Sequence, residues 1–326
     1  MRKLFTKIAF AIVGFSGVAI AQQDPQFTQW MHNKLAYNAG YAGTGGGICG
    51  VLQFRQQWVN FDGAPQSIAV AGDMRLPGIP LGVGLNIIND KIGPMNTLFI
   101  KTAAAYNKDL KVGTLGIGLD VGILQKSISN TWITPEDGKV DNTIPGTYAF
   151  GTNPDLNKLT YDLGFGAFYQ IPGKFYVGLS STHLPAQKVG SGNVTYDMTR
   201  HYYVMAGYTF NLDGGNSNGR NKLTPNVKYK SDLAATAVDL NLTYMWDNMI
   251  WVGGTYRLSD AAAVLIGYQS KPTGSKALVW RIGYSYDYTL SKIKGYTSGT
   301  HEIIAGFCIT PKVKKITTYG DPRFLN

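Results

Sequence analysis

The sequence predicts an all-β protein, a transmembrane β-barrel of about fourteen antiparallel strands with an N-terminal plug-like segment and a short periplasmic C-terminal tail. Three observations predict it. Only 15% of the 326 residues are charged, against roughly 25% in an average soluble domain, while aromatic residues reach 12% and glycine numbers 40. From about residue 48 to the end, apolar or aromatic side chains recur at every second position, with Gly, Ser, Thr, Asn or Asp between them. The chain also opens with an export signal. Alternation alone would fit a soluble sandwich, but such a surface needs many Lys and Glu, whereas the polar face here is mostly small and uncharged. The apolar face is therefore expected to meet lipid and the small polar face to line the lumen.

Residues 1–21 read as a secretory signal peptide. Arg2, Lys3 and Lys7 form the cationic region, Ile8 to Ile20 the apolar region, and Ala19-Ile20-Ala21 the cleavage site. The apolar stretch is shorter than the roughly 20 residues a spanning helix requires. Beyond it no segment holds 18 consecutive apolar residues, which excludes a bundle of membrane helices. Removing the signal leaves 27 cations against 20 acids, a net charge of +7. These cations are scattered rather than gathered on one face, so no nucleic-acid partner is expected.

Residues 22–47 are expected to form a periplasmic or plug segment that starts on the periplasmic side, and residues 48–309 the barrel. Strands are expected to begin near Ile48, Gln66, Leu81, Asn96, Val112, Leu159, Lys174, Arg200, Leu223, Ala237, Met249, Ala261, Ala277 and Gly299. Each would run for roughly 9 to 12 residues, enough for a tilted strand to cross a bilayer. The alternation is plainest where Leu115, Ile117, Leu119, Val121 and Ile123 oppose Gly116, Gly118, Asp120 and Gly122. It recurs in Val238 to Trp246 and in Leu278 to Asp287. Loop lengths supply a separate test. With a periplasmic amino terminus, odd-numbered connections face outward and should be the longer ones. Ser127 to Lys158, Pro185 to Thr199 and Thr289 to Ser298 fit. Asp213 to Lys222 is a long connection on the wrong side, and Leu258 to Asp260 a tight one on the outer side. Residues 310–326 form a basic tail with Lys312, Lys314, Lys315 and Arg323.

No catalytic, cofactor or metal constellation can be picked out, and an enzyme is not expected. His301-Glu302-Ile303-Ile304-Ala305 opens like a zinc-protease helix but lacks the second histidine and lies in a strand. Gly116-Ile117-Gly118 lacks the third glycine of a dinucleotide loop, and small residues facing a crowded lumen explain it better. Lumen-facing Asp120, Asp162, Asp239, Arg257, Arg281 and Asp287 either bind a permeating solute or pair with one another; structural pairing is the favoured reading. Arg55, Arg75 and Trp58 carry the same ambiguity. Cys49 and Cys308 fall at the same ends of the first and last strands, where an oxidising periplasm would permit a bridge if the register opposes them. The alternative is two small strand residues.

Several segments resemble the PorP/SprF family of the Bacteroidetes. They are Gln22-Gln23-Asp24-Pro25-Gln26-Phe27-Thr28-Gln29-Trp30-Met31, Asn38-Ala39-Gly40-Tyr41-Ala42-Gly43, Arg55-Gln56-Gln57-Trp58 and Gly63-Ala64-Pro65. Gly283-Tyr284-Ser285-Tyr286-Asp287-Tyr288, Thr300-His301-Glu302-Ile303-Ile304 and Pro322-Arg323-Phe324-Leu325 continue it in order to the end of the chain. Asn38-Ala39-Gly40 departs from the more usual Asn-Pro-Ala and would alter the turn that positions the plug; Thr300 stands where Ser is common. The resemblance implies a component of the type IX secretion system in the cell outer membrane, assisting export and surface anchoring of a secreted protein such as an adhesin, with gliding motility among the processes served. Its expected partners are outer-membrane lipid, the secreted surface protein, and periplasmic and outer-membrane components of that system. Candidate partner-binding residues are Trp132, Tyr148 and Phe150 in the 127–158 loop, Trp30 in the amino-terminal segment, and Arg323 and Phe324 in the tail. A channel for hydrophobic or small solutes, like the FadL transporters, is the alternative.

Overall fold

A computed structural model describes residues 24–128, 156–191, 194–213, 219–272 and 277–310. The chain forms β1(48–56), β2(66–75), β3(81–92), β4(95–109), β5(114–128), β6(156–171), β7(175–182), β8(188–191), β9(194–197), β10(201–208), β11(210–211), β12(222–231), β13(236–246), β14(250–257), β15(261–269), β16(278–289) and β17(300–309). β8 and β9 pair only with each other, and β11 continues β10 along β12 past a break at Thr209. Every remaining strand pairs antiparallel with its neighbours, and β1 pairs with β17, closing a ring of fourteen strands. Among the described residues no helix is long and apolar enough to cross a membrane.

The in/out assignment follows the sequence. Along β5, Ile117, Leu119, Val121 and Ile123 are exposed on the outer face while Gly116, Gly118 and Asp120 are buried within. Leu240, Leu242 and Trp246 face out on β13, with Asp239 and Asn241 buried behind them. We call the rim where β1 begins proximal and the opposite rim distal. Exposed Tyr106, Trp246 and Trp280 sit toward the proximal rim, and Tyr256 and Tyr288 toward the distal one. Aromatic residues thus flank the apolar band at both ends, where amphipathic rings suit the headgroup level.

Tight proximal turns hold their shape by local chemistry. Asp247 and Asn248 take φ of 50° and 57° in the three-residue connection between β13 and β14, closed by Met249 N donating to Trp246 O at 2.9 Å. In the long proximal exception, Asp213 to Lys222, the Asp213 carboxylate at one end accepts from Asn221 N and Nδ2 at the other, at 2.7 Å each. Those bonds hold the Asp213 carboxyl below its usual range. At the distal rim the 57–65 connection is tied to the β16–β17 connection by Val59 N donating to Gly299 O at 2.8 Å.

Strands β4, β5 and β6 run for 15, 15 and 16 residues, longer than a bilayer requires. Their distal ends are polar, as in the Gln125 Nε2 bond to Asn157 Oδ1 at 3.0 Å, so strand pairing carries on beyond the apolar band. The connection expected over 127–158 is correspondingly shorter, and 129–155 lies outside the described residues. The hairpin β8–β9 stands inside what the sequence reads as a plain loop, Pro185 to Thr199.

Candidate functional site

The described part of the amino-terminal segment, 24–44, packs against inward-facing side chains from most strands of the ring. Phe27 lies with Ala69, Ile88, Phe99 and Leu124 near the distal rim. Trp30 and Tyr37 pack with Phe168, Tyr203 and Met205. A short 3-10 turn, Ala39–Tyr41, reaches the proximal half, where Ala42 O accepts from Asn107 Nδ2 at 3.0 Å. The segment therefore runs the length of the lumen from the distal rim to the proximal one, where β1 starts. This corrects the expectation that it begins on the same side as β1. The physical reason is that 24–44 is docked lengthwise by its own side chains, and strand count fixes only where the barrel begins and ends.

Asn38 directs the turn. Its Oδ1 accepts from Gly40 N at 2.9 Å, and its Nδ2 donates to Ala167 O and Leu179 O at 3.1 Å each. Gly40 then sits so close to the wall that a Cβ would meet Gly166 O at 2.7 Å and Gly116 O at 2.8 Å. On the opposite wall the contact is ionic. Glu302 accepts from Thr28 N at 2.7 Å and Gln29 N at 2.8 Å, while Arg55 bridges Glu302 (3.1 Å) and Asp287 (2.9 Å). Arg257 and Lys228 share Asp239 at 3.0 and 2.9 Å. All six charged groups are buried, so each satisfies another whose isolation would be costly.

The six lumen charges picked out in the sequence have distinct fates. Asp239, Arg257 and Asp287 join the network above. Asp162 bridges Lys101 at 2.6 Å and His183 at 2.9 Å. Asp120 is buried beside Gly164 and Lys101, and Arg281 Nη1 lies 3.3 Å from His32 Nδ1 of the inner segment. Arg55 belongs to the ionic wall. Arg75 is instead part of a half-open pair with Asp109 at 2.8 Å, and Trp58 N donates to Thr300 Oγ1 at 3.1 Å in the distal connection.

Of the candidate partner-binding residues, Trp132, Tyr148, Phe150, Arg323 and Phe324 lie outside the described residues. Trp30 is fully buried, with Lys228 Nζ 5.3 Å from its ring centroid, and offers no surface while the segment stays docked. Cys49 and Cys308 are direct cross-strand partners in the β1–β17 pairing, with Cα atoms 4.1 Å apart, and are joined as a disulfide across the seam.

Sequence reasoning did not bring together Asp24, Asp162, His183, His201 and Tyr203, which meet near the distal rim. Asp24 accepts from Tyr203 OH at 2.8 Å and bonds His183 Nε2 at 2.8 Å. These residues come from the inner segment, β6, β10 and the residue following β7, and no local spacing links them.

No curated protein matches the sequence. Among solved structures the chain is similar to the Pseudomonas putida toluene transporter TodX, at 9% identity and TM-score 0.46, covering 85% of this chain and 93% of that one. It is also similar to the CymD monoaromatic hydrocarbon channel, at 11% identity and TM-score 0.45, covering 89% and 94%. The Acinetobacter baumannii outer membrane protein Omp33 gives 10% identity and TM-score 0.42, covering 81% and 99%. The model of the PorP/SprF family, type IX secretion system membrane proteins, matches residues 19–307, and with that span inside a closed outer-membrane barrel the chain belongs to this family.

Proposed function

We infer that this protein is a plugged, non-conducting barrel that assists type IX export and holds a secreted surface protein, such as an adhesin, at the cell surface. The observation that carries this reading is the filled lumen. Residues 24–44 are anchored on one wall by backbone-to-wall packing and on the other by buried ion pairs, which supports a lumen obstructed along its length. Partner contacts then fall to the rims. The connections expected at this rim, Ser127 to Lys158 and Pro185 to Thr199, join strands at their distal ends, where loops can vary with little effect on the ladder, which suits them to binding. Gliding motility is one process that such surface anchoring would serve.

Replacing residues 129–155 with a short Asn-Gly turn tests the reading. The barrel should still reach the outer membrane while the surface protein is shed into the medium; unchanged display of that protein counts against a role for this rim. Planar-bilayer recording addresses the lumen directly. Wild-type protein should pass almost no current, and steady conductance or solute uptake would favour the channel reading instead.

A further inference from the structure

The geometry points to a buried transition-metal site of the zinc class, formed by Asp24, His183 and His201, that clamps the start of the inner segment to the distal end of the barrel wall. One ligand atom from each of the three lies within 4.8 Å of the others. Asp24 Oδ1 is 2.8 Å from His183 Nε2, and Asp24 Oδ2 is 3.9 Å from His201 Nδ1. The two imidazole centroids are 5.4 Å apart at 73°, so the rings can turn nitrogens toward one point without stacking. A tetrahedral zinc centre needs its ligand atoms roughly 3.3 Å apart. Closing the site requires a movement of about an ångström by His201.

Three further observations distinguish this cluster from an ordinary salt bridge. His183 Nδ1 is 2.9 Å from Asp162 Oδ2, the same oxygen that Lys101 Nζ meets at 2.6 Å. A carboxylate beside one ring nitrogen is the common outer partner of a ligating imidazole, and the other nitrogen, Nε2, faces Asp24. His183 itself is held at φ 56°, a backbone conformation that persists only when its surroundings enforce it. More telling is His201, which is 2% exposed and has no hydrogen-bond partner on either ring nitrogen. A proton shared between His183 and Asp24 would satisfy those two groups and leave His201 bare. A metal ion takes a nitrogen from each ring and resolves both.

Two imidazoles and one carboxylate suit zinc, nickel, cobalt or copper, and are a poor set for magnesium or calcium, which prefer oxygen throughout. Tyr203 OH, 2.8 Å from Asp24 Oδ2, orients the carboxylate, and Lys230 Nζ contacts the Asp24 carbonyl oxygen at 3.1 Å rather than its carboxylate. The neighbouring lysines thus engage Asp162 and the backbone, and no lysine among the described residues is paired with the Asp24 carboxylate, whose Oδ1 faces His183 Nε2. Bound metal would pin residue 24 to β10 and to the end of β7, and through Asp162 to β6.

The test uses the full mature barrel in detergent, stripped with EDTA and titrated with Zn2+ against a chromophoric chelator and, separately, with Co2+. One equivalent per chain is expected, with the visible ligand-field band of a four-coordinate cobalt centre. His201→Phe and Asp24→Asn should each weaken binding at least tenfold. His301→Phe, at a histidine on the outer wall beside Tyr284, should leave it unchanged. Should His201→Phe fail to assemble, Asp24→Asn and the wild-type titration still decide. Absence of stoichiometric binding by the wild type, or binding undiminished in the assembled variants, overturns the proposal.

Discussion

The two walls of the lumen hold the same segment by different chemistry. On the β3–β6 side the wall facing residues 39–42 is nearly bare: Gly82, Gly84, Gly116, Gly118 and Gly166, with Ala103 and Ala105, admit that backbone to direct contact, and the Lys101–Asp162 pair lies distal to it. A Cβ on Gly118 would lie 2.6 Å from Ala39 O. On the side formed by β12–β17 and β1 the wall is charged, and Arg55, Asp287, Glu302, Lys228, Asp239 and Arg257 interlock around Thr28 and Gln29. The first wall selects by shape and fails when anything is added. The second selects by charge and fails when anything is taken away.

That contrast can be broken most severely on the charged side. Arg55→Ala strands Glu302 and Asp287 in a buried setting, and breaking such a pair costs about 3–5 kcal/mol. Guanidinium unfolding in detergent should show the loss, with bilayer conductance rising as the segment comes adrift; an unchanged midpoint would mean the ion pairs do not hold it. Gly118→Val attacks the bare wall, and overpacking of this kind costs about 1–3 kcal/mol. Protease access to 24–44 should increase while strand content, read by circular dichroism, stays constant. Resistance equal to wild type would show that the wall yields. At the small end, Arg75→Ala removes a half-exposed rim pair with Asp109, where the expected change is about 0–1 kcal/mol. A larger shift there would erase the distinction between rim and lumen. The seam offers a fourth check outside both walls. A non-reducing peptide map should recover Cys49 and Cys308 on one linked peptide, and finding both thiols free would contradict the bridge across the seam.

Much of this was legible in the chain. Period-two alternation named the outer face correctly on β5, β13 and β16, and most strand starts fall within a residue or two of the structure, as at Gln66, Leu81 and Ala261. The apolar pattern places the start of β6 near Leu159 whereas the strand begins at Leu156, because Asn157 and Lys158 are polar and carry no apolar signal. The β8–β9 hairpin escaped because its four-residue strands are too short for a period to declare itself. The glycine alternation of β5 did announce a crowded interior, without naming Ala39 and Gly40 as what crowds it.

By itself the sequence determined the barrel, its strand number and which side chains meet lipid, since alternation is a local property that each strand carries in its own residues. Tertiary structure alone decided the lengthwise path of 24–44, the partners of each lumen charge, the opposition of Cys49 to Cys308 and the meeting of Asp24 with His183 and His201. Those depend on register and closure between separate segments, which for Asp24 with His183 and Cys49 with Cys308 lie more than a hundred residues apart. Side-chain periodicity is the same for every register that keeps the faces, so no local pattern can select among them.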